Sequence, residues 1–366
     1  MTSPALAPLL PALAAEPALA SLLASEDATV AVADAARAYV LGGVTSLSSP
    51  SVIVVATANA AEAERLYHDL GCFLDETQLA YFPSWETLPF ERVSPSVETM
   101  GRRLEALWRV AGARSNPGAT LVVAPVKALV QRLAARPIDA APIVVRAKSE
   151  IDPYGLVAAL VAAGYRREYQ VEHRGEVAVR GGIVDVFAST GENGIRIDCN
   201  GDEVERLTSF DVADQRSVAD VDSVEIFACR EFLPDDRRRA RALELSTSAP
   251  FAREQFSRIA DGEIFDGIES FAPFLDDETL LCDLLAKDDR VVLLEPRRMR
   301  DRVIELLDEE AALATSLAET WRDGTDSAPI DAPSIPRLHA PFDRLLSKTE
   351  ARVASMLAVT ESPGQD

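Results

Sequence analysis

Three runs of β-branched residues, "SVIVVAT" (51–57), "TLVVAP" (120–125) and "RVVLLEP" (290–296), constrain this chain more than any other feature. None alternates apolar with polar residues, so each is expected to be buried on both faces. Strands of that kind belong in a parallel sheet covered by helices on either side. The first two runs fit one α/β segment, with "QLAYF" (78–82) as a short strand between them. Helices are expected over 60–70, over 97–110 with Leu104, Leu107 and Trp108 on one face, and over 126–134. The pattern changes after about residue 140. "PIVVRA" reads as a strand, and Asp152 caps a helix that runs to Ala163 and ends at Gly164. Short strands then follow at close spacing: "GEVAVR" (175–180), "GIVDVF" (182–187), "GIRIDC" (194–199), "EVERLTSF" (203–210) and "SVEIF" (223–227), with Gly181–Gly182 and "TGENG" as tight turns.

Helices return at 235–246, 249–260 and 278–286, before the lone "RVVLLEP" strand and a helix over 297–313. One strand with its helices cannot bury itself, so the third run is expected to complete the first sheet. The fold class is therefore α/β: a parallel-sheet domain in two segments, with an inserted α+β domain rich in antiparallel strands. The expected boundaries are a helical extension over 1–27, a first α/β segment over 28–139 and an inserted β-rich domain over 140–232. A second α/β segment over 233–345 and a helix or linker over 346–366 complete the chain.

"YFPSWETLPFERVSP" (81–95) fits neither helix nor strand, because its prolines remove donors and fix φ. It carries Tyr81, Phe82, Trp85 and Phe90, so it is too apolar to be left in water. Two readings stand: a packed structural loop whose aromatics cover the sheet's C-terminal edge while Glu91 and Arg92 bond its backbone, or a contact surface. It follows a strand's C-terminal end, where open α/β sheets place ligands.

The formal net charge is -22, and lysine occurs only at 127, 148, 287 and 348. Phosphate contacts need a basic surface, so the chain is a poor nucleic-acid binder by itself. Four scattered cysteines (72, 199, 229, 282) and three scattered histidines (68, 173, 339) give no metal-site spacing and no disulfide framework, which suits a cytoplasmic chain. The N-terminal stretch lacks a basic region and holds prolines and Glu16, unlike a signal peptide, and no apolar run has membrane-spanning length. A parallel α/β domain invites a nucleotide, but GxxxxGK[ST] is absent. The nearest glycine pair, in "YVLGGVTSLSSP" (39–50), has no lysine. No Ser/His/Asp or Cys/His constellation stands out. The expectation is a non-enzyme without cofactor, metal or membrane contact; an active ATP-dependent helicase or DNA-binding repair subunit is the alternative.

Two stretches carry a family likeness. "YFPSWETLPFERVSPSVETMGRRLEALWRV" and "YRREYQVEHRGEVAVRGGIVDVFA", with "RLTSFDVADQRSV" and "VDSVEIFACREF" after them, resemble the N-terminal UvrB-like module of the bacterial transcription-repair coupling factors (Mfd). The resemblance covers roughly residues 28–315. It implies a parallel α/β domain without a working ATP loop, and an inserted domain that recruits the repair subunit UvrA. It also implies that RNA polymerase and DNA are met through other domains, and that ATP and magnesium serve motor domains outside this stretch. Four arginines, Arg166, Arg167, Arg174 and Arg180, cluster within fifteen residues. The resemblance carries a UvrA-binding role onto Arg167 and Arg180 most directly, with Arg166, Arg174 and Phe187 beside them. Where the family shows a further arginine this chain has Ala178. Against this stand two plain readings: arginines that are solvated strand charge, and a Phe187 that is core rather than an exposed anchor.

Overall fold

The computed structural model describes residues 4–49, 51–88, 91, 93–115, 118–249, 252–322 and 335–359, with the backbone alone at 137–138 and 317–322. The strands are β1 (Asp27–Ala31), β2 (Val52–Thr57), β3 (Leu79–Tyr81), β4 (Thr120–Pro125), β5 (Ile143–Arg146), β6 (Arg166–Arg167) and β7 (Glu176–Arg180). They continue as β8 (Ile183–Phe187), β9 (Gly194–Asn200), β10 (Glu203–Phe210), β11 (Ser217–Asp220), β12 (Ser223–Ile226), β13 (Arg290–Leu294) and β14 (Arg352–Leu357). The chain divides into two compact units. Unit 1 is Met1–Ser84, Arg109–Leu133 and Asp276–Asp366; unit 2 is Trp85–Trp108 and Ala134–Leu275. These cuts differ from the expected boundaries: residues 85–108 and 233–275 fall in unit 2.

Unit 1 is built on a six-stranded sheet of order β1-β14-β13-β2-β4-β3, in which every pairing is parallel. Strands β2, β4 and β13 are buried along their whole length, as their unbroken β-branched runs require. β13 bonds directly to β2, so the third run does enter the first sheet. Asp289, just before β13, fixes this junction: its carboxylate accepts from the Val52 N–H at 2.8 Å and the Ala286 N–H at 2.7 Å, and holds Arg114 at 3.1 Å.

Several local expectations need correction. β1 and β14 were not expected. β14 lies where a helix or linker was read, and its two buried residues, Ala354 and Met356, are too few to stand out as a strand. The helix read over 126–134 stops at Val130, because Gln131 bridges to His339 while the Arg132 and Leu133 N–H groups bond the Leu338 and Thr279 carbonyls. Those bonds replace the helical ones. The helix read over 278–286 is a 3-10 turn, Leu281–Leu284; Asp283 accepts from the Leu280 N–H and is gripped by Arg344. The last long helix, in contrast, extends over Pro296–Arg322. Among the described residues, no single helix is long and apolar enough to cross a membrane.

Unit 2 holds a six-stranded sheet of order β11-β10-β9-β8-β7-β6 and the antiparallel pair β12-β5. All neighbours in the larger sheet are antiparallel except β6 and β7. One face buries Val177, Val184, Val186, Ile197 and Leu207 against the helix Pro153–Ala162. That helix starts where Asp152 accepts from the Tyr154 N–H, and ends at Gly164 with φ of 92°, a conformation that favours glycine. The other face carries a smaller cluster of Val171, Ala178, Phe187 and Phe210. Gly194, opposite Phe210 on β9, is needed there, since a Cβ would lie 2.4 Å from the phenyl ring.

The aromatic and proline-rich stretch is a packed loop over its described residues. Phe82 is buried in unit 1, and its N–H bonds the Val123 carbonyl. Trp85 is fixed within unit 2 rather than on the parallel sheet, its indole N–H donating to Glu231 at 2.9 Å. Arg103 also meets Glu231, at 2.6 and 3.1 Å, and both side chains are fully buried. Burial alone would raise the Glu86 carboxyl, but hydrogen bonds from Thr99 and Ser96 hold it below its usual pKa. Glu91 accepts from the Leu88 N–H; Phe90 and Arg92 lie outside the described residues. Removing one partner of a buried pair strands the other charge. Glu231→Leu is expected to cost about 3–5 kcal/mol, a fall on the order of 10 °C in melting temperature. Adding Arg103→Met should restore much of that loss. A cost below about 1 kcal/mol in thermal or urea unfolding would show the pair to be dispensable.

Candidate protein-docking surface

The hairpin of β7 and β8 sets the geometry around the candidate residues. Its register opposes Ala178 to Asp185 and Glu176 to Phe187, and β9 then opposes Arg196 to Asp185. Alternation along a strand puts Glu176, Ala178, Arg180, Asp185, Phe187 and Arg196 on one face of the sheet. Asp185 is 1% exposed in its centre. Arg180 donates to it at 2.7 Å, and Arg196 donates through two nitrogens at 2.8 and 2.9 Å. The hydrogen bond to Asp185 raises the Arg196 pKa, and Arg196 also lies 4.8 Å above the Phe210 ring. Arg180 is thus half engaged inside the protein, with 40% of its side chain exposed.

The other candidates part company. Arg174 donates to the Gly191 carbonyl at 2.9 Å, faces Glu98 at 3.4 Å and lies 5.1 Å over the Phe187 ring. Phe187 is 6% exposed within the small cluster, so of its two readings the structure gives the core one. Arg166 faces Glu176 at 3.5 Å. Glu176 in turn accepts from the Glu172 and His173 N–H groups, both at 2.9 Å, and so pins the loop between β6 and β7. Gln215 holds the same loop from the other side by donating to the Val171 carbonyl at 3.0 Å.

Arg167 differs from all of these. It is exposed on the edge strand β6 and has no hydrogen-bond or ion-pair partner among the described residues. Its register partner is Val177, whereas that of Arg166 is Glu176, so the two arginines start on opposite faces. Arg180 lies four residues along β7 from Glu176, about 13 Å at strand rise. The four arginines therefore do not form one patch. Three decorate the Phe187 face with internal partners, and one stands free at the edge.

Three residues important here were not singled out from the sequence. Asp185 was legible as a lone acid inside "GIVDVF", a buried charge that must find cations. Arg196 is its second cation. Tyr169, 84% exposed two residues after Arg167, left only the weak signal of an aromatic beside an arginine.

The crevice expected to hold a ligand in a parallel sheet lies outside the ends of β2 and β13, where connections run to opposite sides. It has a volume of ≈ 240 Å³, and Arg37, Thr57, Glu62, Glu295 and Arg298 contribute to its lining. Of its three arginines, two are committed and Arg65 is exposed and unpaired among the described residues. Arg37 bonds Glu295 at 2.5 Å and Asp34 at 3.0 Å, and Arg298 bonds Glu62 at 2.6 Å. Where a phosphate loop would follow β2, Asn59 caps the next helix by accepting from the Glu62 N–H. Burial pushes the thiols of Cys229 and Cys282 up to about 12, which makes poor nucleophiles of them. No group of three or more metal-ligating side chains occurs among the described residues.

Residues 143–232, within unit 2 and spanning β5 to β12, match the UvrB interaction domain family. The chain is 38% identical over 278 residues to the transcription-repair-coupling factor of Mycobacterium bovis, covering 72% of this chain and 22% of that protein. The Bacillus subtilis transcription-repair-coupling factor is 27% identical over 289 residues, covering 73% of this chain and 24% of its own length. That of Escherichia coli is 26% identical over 234 residues, covering 62% and 20%. This chain spans between a fifth and a quarter of the curated relatives it matches. The chain thus carries a parallel-sheet α/β unit and a UvrB interaction domain, and over 72% of its length it is similar to a transcription-repair-coupling factor.

Proposed function

We propose that this module is a docking platform that recruits UvrA through the β6–β7 edge of unit 2, and so brings excision repair to stalled RNA polymerase. Arg167 carries the reading: an exposed guanidinium without an internal partner, inside the segment that matches the UvrB interaction domain. In a chain of net charge -22, a free arginine on a sheet edge favours an acidic partner surface. Arg180 contributes the half of its side chain that Asp185 leaves open, and a partner meeting both residues wraps the edge. Arg166 and Arg174 assist from the Phe187 face, and Phe187 acts beneath them as packing. RNA polymerase, DNA, ATP and magnesium belong, in this reading, to parts of the whole protein beyond this segment.

Arg167→Glu should weaken UvrA binding at least about tenfold, because it replaces an attraction by a repulsion. Its unfolding free energy should stay within about 0.5 kcal/mol of the parent. Arg180→Glu behaves differently, since it sets a carboxylate against buried Asp185. It should destabilise unit 2 by about 1–3 kcal/mol and so confound a binding assay; Arg180→Gln is the cleaner probe. Calorimetric titration with UvrA, paired with urea unfolding of each variant, reads both quantities. Full UvrA affinity in folded Arg167→Glu would remove this edge from the interface.

The competing reading, an ATP-dependent enzyme, meets a crevice in which Arg37 and Arg298 are committed to carboxylates. Fluorescent ATP with magnesium is expected to show no saturable binding to this chain, and micromolar binding would revive that reading.

A further inference from the structure

Arg290 and Arg352 begin β13 and β14 in unit 1 and are direct register partners on adjacent parallel strands. Their side chains therefore leave the sheet side by side, an arrangement in which like charges repel. Arg290 is 6% exposed. It donates to the Leu23 carbonyl at 3.0 Å and the Ser25 carbonyl at 3.3 Å, while Arg352 reaches the Leu23 carbonyl at 3.4 Å. These are neutral acceptors. Neither arginine has an ion-pair partner among the described residues, and the buried Nε–H of Arg352 has no acceptor there. Burial, with the Arg352 charge beside it, lowers the Arg290 pKa.

The neighbouring acids do not relieve the pair. Both oxygens of Asp289 are committed to Arg114 and to the Val52 and Ala286 N–H groups. Asp288 is exposed and forms no ion pair with either arginine. The two guanidiniums line a cavity of ≈ 380 Å³, with Ser48, Ser51, Ile53 and Asp288 around it. That is room for on the order of ten waters, enough for a phosphate group and a small substituent. Elsewhere in this unit, two partly buried cations are answered by carboxylates: Arg37 by Glu295, and Arg344 by Asp283. Here two adjacent positive charges are left with carbonyls alone.

We propose that this cavity is an oxyanion site that takes a phosphate group, as free phosphate or as the end of a small phosphomonoester. Two planar forks supply convergent N–H donors to a tetrahedral dianion, and its two negative charges match the two guanidiniums. The site lies at the opposite ends of β2 and β13 from the ligand crevice of the sheet, and is independent of the UvrA reading.

The test is a phosphate titration of the 366-residue chain at constant ionic strength, balanced with chloride, read by melting temperature and by calorimetry. The wild-type chain should show a saturable rise in melting temperature and measurable heat with inorganic phosphate. Phenyl phosphate is the second arm: binding at equal or higher affinity assigns a monoester site, and binding of inorganic phosphate alone assigns the free ion. Arg352→Gln should weaken phosphate at least about tenfold. Arg352→Lys, which keeps the charge without the fork, should fall between. A wild-type chain that melts identically in phosphate and chloride and gives no heat overturns the proposal. So does an Arg352→Gln chain with an undiminished phosphate response. Should Arg352→Gln fail to fold, the wild-type titration and Arg352→Lys still decide.

Discussion

Glu231 is a carboxylate taken wholly out of water, and unit 2 is arranged around the donors that make this tolerable. The Trp85 indole and two nitrogens of Arg103 surround it, each a charge-assisted bond in a low-dielectric setting. These residues come from three separate stretches of chain, so satisfying one buried charge ties a proline-rich loop and the middle of the helix Val97–Gly112 to the end of the β-rich region. Ser94 extends the tie. Its hydroxyl donates to Glu269 at 2.6 Å and accepts from Arg230 at 2.7 Å and from the Gly267 N–H at 2.9 Å. Trp85 stays dry because the polar groups around it are anchored, and the anchors explain why 85–108 groups with unit 2.

A second buried carboxylate, Asp185, governs the Phe187 face of unit 2 in the same way. It turns Arg180 and Arg196 inward and so decides how much positive charge that face exposes. Arginine count is then a poor guide to available charge. Three of the four clustered arginines hold internal acceptors, and the fourth differs only because β6 is an edge strand and Arg167 has no acid beside it.

What could be read in the sequence follows from where the signal was local. Unbroken β-branched runs gave β2 and β4 within a residue and β13 with a two-residue overshoot at its end, and the Asp152 cap with Gly164 gave the helix between those two residues. β1 and β14 escaped because their pattern is short and half-exposed, and only pairing with each other and with β13 makes them strands. Clustering singled out the stretch 166–180 but gave none of the internal pairings of its arginines. Which arginine is free depends on the cross-strand register of Asp185, Arg196 and Glu176, and register is set by tertiary pairing. The burial of Phe187 under Arg174 was likewise undecidable from spacing alone.

The placement of β14 between β1 and β13 has a further consequence, for the order of assembly. A ribosome delivers the chain from its N-terminus, and β1 emerges more than three hundred residues before the strand it bonds to. Every residue of unit 2 is made before residue 276, so its sheet has all its strands while unit 1 still lacks β13 and β14. During synthesis the β2 edge that awaits β13 is therefore an open template, a hazard for stray pairing. A nascent chain halted before Arg352 would carry a finished unit 2 and an unfinished parallel sheet.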